Sequence, residues 1–595
     1  MAVLVVLAES NGKPVHKNDI LDAVWPGQVV ADGVVTRAVY ELRQIFRSDP
    51  DTPDIIETLP RLGYRLTVPA VPLSDEARNP PTTTTIPGRT AKKLLIALTL
   101  IVAAAVLAAG LFAIRSPAGP RSIAVLPLTN FTGDAERDYL GEGLAEQIIH
   151  LLARQPELSV VSRTSSFALA DRELTIQQIA AELKVDTVIE GSIRAERGVQ
   201  RVTIQLTGSR SGAPSDSLVI DVLDDQLFMA QEKIAGQVLE MILPGREVAL
   251  PATAVDSTTI ELVMKGRAAL HGRNRQSLSY ARELFQQALA LQPDYADAYA
   301  GLAQVELVLP VYAGTDKAAG TRAARRAADA ALSLNPDQVD ALAVSAALAF
   351  ERREYANAVE QFRRAIRLAP SNAQAHQWFG GALRTLGYID QALAATRRAV
   401  ELNPLAGGAN TSYAQTLLLA GELEAARTPT LRADRFGAGF APRILALIHF
   451  RHDRLTAFEE ELAKHYQLAG APVAVARGFA AYLRGETSAG ELIEIVEDVS
   501  APQSAGVGFF FREWSLAGFP RNALAALTRQ SDDLQFFSDV WLAEAAGVRA
   551  LPEFSSLLRE LGLMDYWSWA GSPAVCRGEK PEPFCLELAS AQPAQ

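Results

Sequence analysis

Two short stretches, Ala365–Pro370 (AIRLAP) and Ala399–Pro404 (AVELNP), stand 34 residues apart, and their reading decides the fold of most of the chain. The same A-[LIV]-x-L-x-P pattern occurs at Ala288–Pro293 (ALALQP) and Ala331–Pro336 (ALSLNP). Pro336 again lies 34 residues before Pro370, whereas Pro293 lies 43 before Pro336, an interval that points to an insertion near Pro310–Ala318. Ahead of each proline sits a pair of alanines two helical turns apart: Ala281 and Ala288, Ala324 and Ala331, Ala358 and Ala365, Ala392 and Ala399. Phe285 and Phe362 take the matching large position in two of these pairs. A fixed period of this size implies paired helices that bury their apolar faces only by stacking on the next pair. Small residues fall where the helices must approach closely. The expected architecture is an α-solenoid whose concave face binds a protein or peptide.

This pattern resembles the tetratricopeptide repeat, and the resemblance covers residues 255–406. Residues 407–565 are Ala/Leu-rich with turns at Gly421, Gly437, Gly470 and Gly485, and read as divergent helical repeats. Residues 566–595 read as a C-terminal tail containing both cysteines, Cys576 and Cys585. Their spacing across Gly and Pro makes them a disulfide candidate in an oxidising compartment. No second cysteine pair or nearby histidine completes a zinc site.

Before the repeats, residues 121–245 alternate apolar strand and helix patterns, which predicts a mixed α/β domain. The segments AVLPLTNFTGD, YLGEGLAEQI, VVSRTSS and VIEGSI are similar to the TolB-like amino-terminal domain, which implies binding or assembly rather than chemistry. Gly133, Gly141 and Gly143 precede or open a helix, but neither GxxxxGK[ST] nor GxGxxG is present to cradle a phosphate.

Leu94–Ile114 (LLIALTLIVAAAVLAAGLFAI) contains no charge, Asn, Gln, His or Pro. As a helix it would extend about 31 Å, the thickness of a bilayer's hydrocarbon layer, and predicts one transmembrane helix. Arg89, Lys92 and Lys93 precede it and Arg115 and Arg121 follow. Pairs such as Ala104/Ala108 would let two such helices approach as a homodimer. Residues 69–93 hold five prolines and four consecutive threonines and read as a linker.

Residues 1–68 predict three short helices and a hairpin. Lys17–Trp25 places Ile20, Leu21, Val24 and Trp25 on one face. A third helix, capped by Asp32, runs to about Arg47 with Val35, Ala38, Leu42 and Ile45 as its core stripe. Ile55–Thr58 and Tyr64–Leu66 form the hairpin. The pair DILDAVWPGQVVADGVVTRAVYELRQIF and IIETLPRLGYRL resembles the OmpR-type winged helix of ToxR/CadC-type membrane regulators. The resemblance implies that Thr36, Arg37, Tyr40 and Arg43 read the major groove and that Arg61, on the wing, reaches the minor groove. Arg47 and Arg65 are second choices for phosphates. Family members carry a small sheet before the point where Met1 falls, so the winged helix is expected to be N-terminally truncated, with the true start upstream.

The first 93 residues are charge-neutral, with 11 basic and 11 acidic residues, so the whole net charge of −11 belongs to the rest. Any nucleic-acid contact must therefore come from a local arrangement near the N-terminus. No HExxH, GxSxG, P-loop or CxxC motif is present, and His449 and His452 alone do not make a metal site. The expectation is a non-enzyme without cofactor: a one-component regulator of the bacterial inner membrane, N-terminus cytoplasmic and repeats periplasmic, binding promoter DNA. The alternative is a membrane-anchored periplasmic scaffold whose winged helix no longer binds DNA.

Overall fold

The structure is a computed structural model that describes residues 2–10, 13–24, 35, 38–39, 42, 55–59, 63–67, 120–134, 137–170, 172–196, 198–223, 226–246, 255–437, 439–499, 510–529, 534–578 and 580–591. The chain divides into two compact units, Met1–Ser116 and Pro117–Gln595. The expected transmembrane helix Leu94–Ile114 and the 69–93 linker lie outside the described residues. Among the described residues, no helix is long and apolar enough to cross a membrane.

In the first unit, α1 (Ala2–Glu9) and α2 (Lys17–Val24) pack over a hairpin of β1 (Ile56–Leu59) and β2 (Gly63–Leu66). Val35, Val39 and Leu42 join Val3, Leu7, Ile20, Ile56, Tyr64 and Leu66 in one buried core. Val39 rather than Ala38 is the deeper of the two neighbours on that helical stripe. Val15 exchanges backbone hydrogen bonds with Tyr64 at 2.9 and 3.0 Å, which adds a third short extended segment beside the hairpin. Gly63 has φ +105°, and a Cβ there would lie 2.0 Å from the Val15 carbonyl oxygen. Only glycine fits that approach.

The second unit begins with a mixed sheet ordered β5-β3-β6-β7-β8: β3 (Arg121–Val125), β5 (Leu158–Val160), β6 (Thr187–Glu196), β7 (Val199–Gly208) and β8 (Pro214–Leu223). β4 (Thr129–Asn130) pairs with the far end of β6. β3 is parallel to β5 and β6, while β6, β7 and β8 form an antiparallel meander. Helices α3 (Asp138–Ala153) and α6 (Leu227–Ile242) cover one face. Beyond the short helix α4 (Arg163–Phe167), Leu169 and α5 (Ile176–Leu183) cover the other face, the helix held by a capping box between Thr175 and Gln178.

The glycines of the YLGEGL motif serve packing. A Cβ on Gly141 would lie 1.9 Å from the Leu128 carbonyl oxygen, and one on Gly143 would meet the Met264 side chain at the same distance. Gly141→Ala should therefore destabilise the unit by about 1–3 kcal/mol, the usual cost of overpacking, read as a lower urea midpoint with an unchanged slope.

Seven helix pairs follow: α7/α8 (Ser257–Leu270, Arg275–Leu291), α9/α10 (Ala296–Ala313, Lys317–Leu334), α11/α12 (Val339–Glu351, Tyr355–Leu368), α13/α14 (Ala373–Thr385, Ile389–Leu402), α15/α16 (Gly407–Leu419, Leu423–Arg435), α17/α18 (Ala441–Arg451, Leu455–Leu468) and α19/α20 (Val473–Leu483, Ala489–Val499). All eight alanines of the repeat pattern are fully buried, as are Phe285 and Phe362. The long interval is absorbed by helix lengthening. α9 and α10 have 18 residues each, against 13 and 14 in the next pair, and Gly320 makes room for Pro310 inside α9.

The C-terminal residues do not trail away. A helix over Leu563–Ala570 spans the expected tail boundary at residue 566, and Trp567 and Phe584 are fully buried. Cys576 and Cys585 are joined by a disulfide with Cα atoms 5.4 Å apart.

Candidate functional site

The five residues expected to read DNA, Thr36, Arg37, Tyr40, Arg43 and Arg61, lie outside the described residues, as does Arg47. What is described is the frame that carries them. The core side of the third helix is anchored by Val35, Val39 and Leu42, and the hairpin bearing the wing is fixed by the Val15–Tyr64 bonds. Arg65, a second choice for phosphate, pairs across the hairpin with Glu57 at 2.6 Å, where both side chains are about two-fifths exposed. At that exposure the pair adds little stability and chiefly orients the guanidinium.

In the second unit the α/β part and the solenoid are fastened directly to each other. The turns that end the second helix of a repeat pair provide the joint. Ser371 Oγ accepts from the Val160 amide at 3.1 Å and donates to the Leu158 carbonyl at 3.2 Å, and the Ser371 amide donates to Ala153 O at 3.2 Å. One turn later, Ser165 Oγ donates to Asn403 Oδ1 at 2.6 Å and accepts from the Leu405 amide at 2.9 Å. Leu405 itself enters the core beneath α5.

The opposite edge, where the first helix of each pair turns into the second, is held by the C-terminal helices. Tyr355 OH donates to Leu561 O at 2.8 Å, Tyr388 OH to Gly571 O at 2.7 Å, Trp541 Nε1 to Thr385 O and Trp567 Nε1 to Leu386 O, both at 3.1 Å. A solenoid clamped along both edges has little freedom to flex. Its curvature, and hence the groove on its inner face, is set by the fold.

That groove has a volume of about 2230 Å³ and is lined by the first helix of successive pairs together with α3. At the α/β end several of its charges are paired. Arg267 holds Asp297 at 2.8 Å, and Gln338 donates to the same carboxylate at 3.1 Å. Burial pushes the Asp297 carboxyl up, and Arg267 and Gln338 outweigh it, leaving it below the ordinary range. Glu146 sits 3.3 Å from Arg163 and 3.8 Å from His271. It too is held low: burial opposes ionisation, and His271 and Arg163 prevail. His150 beside them is pushed down by burial and by Arg267.

At the far end the balance differs. Asp539 is shared by Arg443 at 2.7 Å and Arg512 at 2.8 Å, all three buried. Arg384, also lining the groove, donates from Nη1 to Ser412 O at 3.2 Å, while its buried Nε has no hydrogen-bond partner among the described residues. Burial and the nearby Arg512 pull its pKa down to about 10, with Asp539 opposing. These arginines look alike in the sequence, and no spacing rule singles out Arg384.

His449 and His452 do not converge on a shared ligand: His452 pairs with Glu424 at 2.9 Å. Among the described residues no cluster of His, Cys, Asp and Glu could hold a metal ion.

Residues 1–66 match the family model "Transcriptional regulatory protein, C terminal". The chain carries a regulator's winged helix. Residues 317–373 and 380–439 match the tetratricopeptide repeat model, so the solenoid is of that kind. The chain is similar to transcriptional regulator HilA of Salmonella typhi, 25% identical over 410 residues, which is 68% of this chain and 66% of that protein. It is 36% identical over 75 residues to transcriptional activator CadC of Escherichia coli (strain K12), 12% of this chain and 15% of that protein. A putative adenylate cyclase 3 of Rhizobium meliloti (strain 1021) is 30% identical over 196 residues, 32% of this chain and 33% of that protein. The chain thus spans from a third to just under two thirds of the length of the first of these relatives.

Proposed function

We propose that this chain is a one-component transcription regulator of the bacterial inner membrane. The winged helix binds promoter DNA on the cytoplasmic side, Leu94–Ile114 crosses the bilayer once, and the unit from Pro117 onward senses a protein or peptide in the periplasm. The observation that carries this reading is the join itself. A regulator's winged helix over residues 1–66 is followed by a separate compact unit whose inner groove is built from tetratricopeptide repeats. The TolB-like resemblance of residues 121–245 fits a unit that acts by binding. A disulfide between Cys576 and Cys585 suits an oxidising compartment. Two copies meeting through the span would bring two winged helices to adjacent half-sites.

The test uses the full chain in its own membrane. Genomic fragments bound by the wild-type chain are collected and then titrated with Arg37→Ala and Arg61→Ala. Each lost groove contact should weaken binding about 5- to 100-fold, the equivalent of roughly 1–3 kcal/mol. Unchanged affinity in both variants removes the DNA-reading assignment. Reporter fusions at residues 80 and 250 test the topology separately; a cytoplasmic signal at 250 overturns the sensor half.

A further inference from the structure

The mixed sheet has two outer strands, and the protein finishes one of them itself. Along β5 the outward backbone groups, the Val160 N–H and the Leu158 carbonyl, are answered by Ser371 Oγ of the solenoid. β8, at the other end of the strand order, pairs with β7 on one side and with no strand on the other among the described residues. Every second residue of such a strand points its N–H and C=O away from the sheet, ready for a further strand.

Free edges are ordinarily blunted by lysines, by a proline or bulge inside the strand, or by short length. β8 runs ten residues, holds no Lys or Arg, and has its one proline at the first position. The irregularity in its pairing falls at Leu206/Thr207, beside that first end, and Asp216–Leu223 follow in plain register. The exposed acid Asp221 is neutralised from within the sheet, since Arg201 Nε and Nη2 of β7 each donate to it at 2.8 Å. Toward α6, Leu218, Ile220 and Val222 are only half-buried at the margin of the core. On the opposite face Val219 and Leu223 are 57% and 51% exposed. A strand laid along this edge would finish burying the first row and bond the outward main-chain groups.

The same residues decide which strand fits. It must be apolar at alternate positions toward α6 and must bring no acid against an acid, because like charges directly opposite destabilise a pair. β8 meets that description itself. When it runs antiparallel to a second copy, the register is fixed by the residue on the two-fold axis. An axis at Asp221 sets that carboxylate against its own copy, and one at Ile220 matches Asp216 with Asp224 in sequence. An axis at Leu218 leaves one apolar pair on the α6 side and sets Asp216 against Ile220. With the axis at Val219, Leu218 and Ile220 face each other twice, Ser217 faces Asp221, and no two acids meet; Asp216 faces Val222 at the end of the paired stretch.

We propose that β8 is an interface between two copies of this chain, paired antiparallel about Val219 so that their sheets join into one. The proposal rests on the membrane-anchored reading for its strength. One strand pair is small for a free dimer, and a shared membrane raises the effective concentration of the two copies. The test separates the two.

The full chain is cross-linked in isolated membranes. Its two cysteines are joined to each other, so an introduced cysteine is its one free thiol. Val219→Cys sets two thiols on directly opposed residues, with Cα atoms about 4.5–5.5 Å apart and within disulfide range. Oxidation with copper phenanthroline should convert it to a dimer on a non-reducing gel. Asp221→Cys sets its thiols about 13 Å apart along the strands and should cross-link about tenfold more slowly. Ser217→Cys and Asp221→Cys, co-expressed with different tags, should join in a mixed dimer. Adding Val219→Lys to both of those copies should slow that joining, and Val219→Lys in one with Val219→Glu in the other should restore it. Ala104→Cys reports on the span. Cross-linking at Ala104→Cys without cross-linking at Val219→Cys overturns the β8 interface while pairing through the span stands; cross-linking at neither overturns both. Equal rates for Val219→Cys and Asp221→Cys, or a thiol at 219 that captures another protein in place of its copy, also overturn the β8 pairing.

Discussion

Replacing Asp539 by alanine is expected to destabilise the C-terminal half of the second unit by about 3–5 kcal/mol, the range for removing one partner of a buried ion pair. The carboxylate stands between two guanidiniums. Arg443 Nη2 donates to it at 2.7 Å, and Arg512 donates through Nη2 at 2.8 Å and Nε at 3.2 Å. All three side chains are less than a tenth exposed, so solvent cannot take the place of the lost acceptor. Alanine removes the acceptor and leaves two buried cations facing each other, where the ordinary response of moving a proton is closed to arginine. Arg512 also donates through Nη1 to Arg443 O at 3.1 Å, so the network links α17 to α21 (Phe511–Leu516) as well as to residues 534–541. The measurement is the urea midpoint of the full chain at neutral pH.

The same site carries a pH signature whose sign follows from its titration. Burial pushes the Asp539 carboxyl up, and Arg443 and Arg512 together outweigh it, so the folded group titrates at about 2 against an ordinary 3.8. A depressed folded pKa contributes stability that is present above the unfolded value and is lost as pH falls through the folded one. Wild-type stability should therefore drop between about pH 4 and pH 2 by a component that Asp539→Ala lacks. Glu513, pushed up by burial, contributes with the opposite sign. The difference between wild type and variant, rather than either curve alone, isolates Asp539. A difference that stays constant across that window rules out the assignment of this acid limb to Asp539.

Much of this architecture is legible in the sequence because periodic burial leaves periodic residues. Alanines seven apart before each L-x-P turn mark where helices touch, and all eight are buried. The hairpin of the first unit is marked by its β-branched and aromatic residues, and Gly63 by its position at the turn. What the sequence does not disclose are contacts made to backbone. Ser371, Ser165 and Asn403 tie the α/β part to the solenoid through main-chain groups, and such serines look like any other loop residue. For that reason residues 121–245 and the repeats read as consecutive domains, although they share one compact unit. β8 leaves a weak mark for another reason: it opens with Pro-Ser-Asp-Ser, turn chemistry, before the alternation of Leu218, Ile220 and Val222 begins. The groove's odd arginine is invisible because pairing is a property of the neighbours, not of the residue.

Trp567→Ala is expected to cost about 3–5 kcal/mol for the lost volume, with roughly 1–3 kcal/mol more if the Leu386 carbonyl finds no new donor. The indole is fully buried, edge-on to Trp541 with ring centroids 5.9 Å apart and beside Phe584 at the same distance. Its Nε1 donates to the carbonyl of Leu386, which lies in the turn between α13 and α14 and is itself fully buried. At Gly387, with φ +77°, a Cβ would come within 2.7 Å of Pro573 and 3.2 Å of Trp541, so this turn and the C-terminal helices are fitted to each other. Trp567→Phe weights the donor more heavily, because it deletes the N–H with a smaller loss of ring volume; its cost should be lower, roughly 1–3 kcal/mol. Hydrogen exchange places the damage. The amides of Gly387 and Tyr388, which close the turn on Arg384 O and Leu383 O, should exchange faster in Trp567→Ala, while those of β6 and β7 remain protected. Exchange that accelerates equally in the sheet would mean global unfolding, and the edge would then have no separate role in holding the groove.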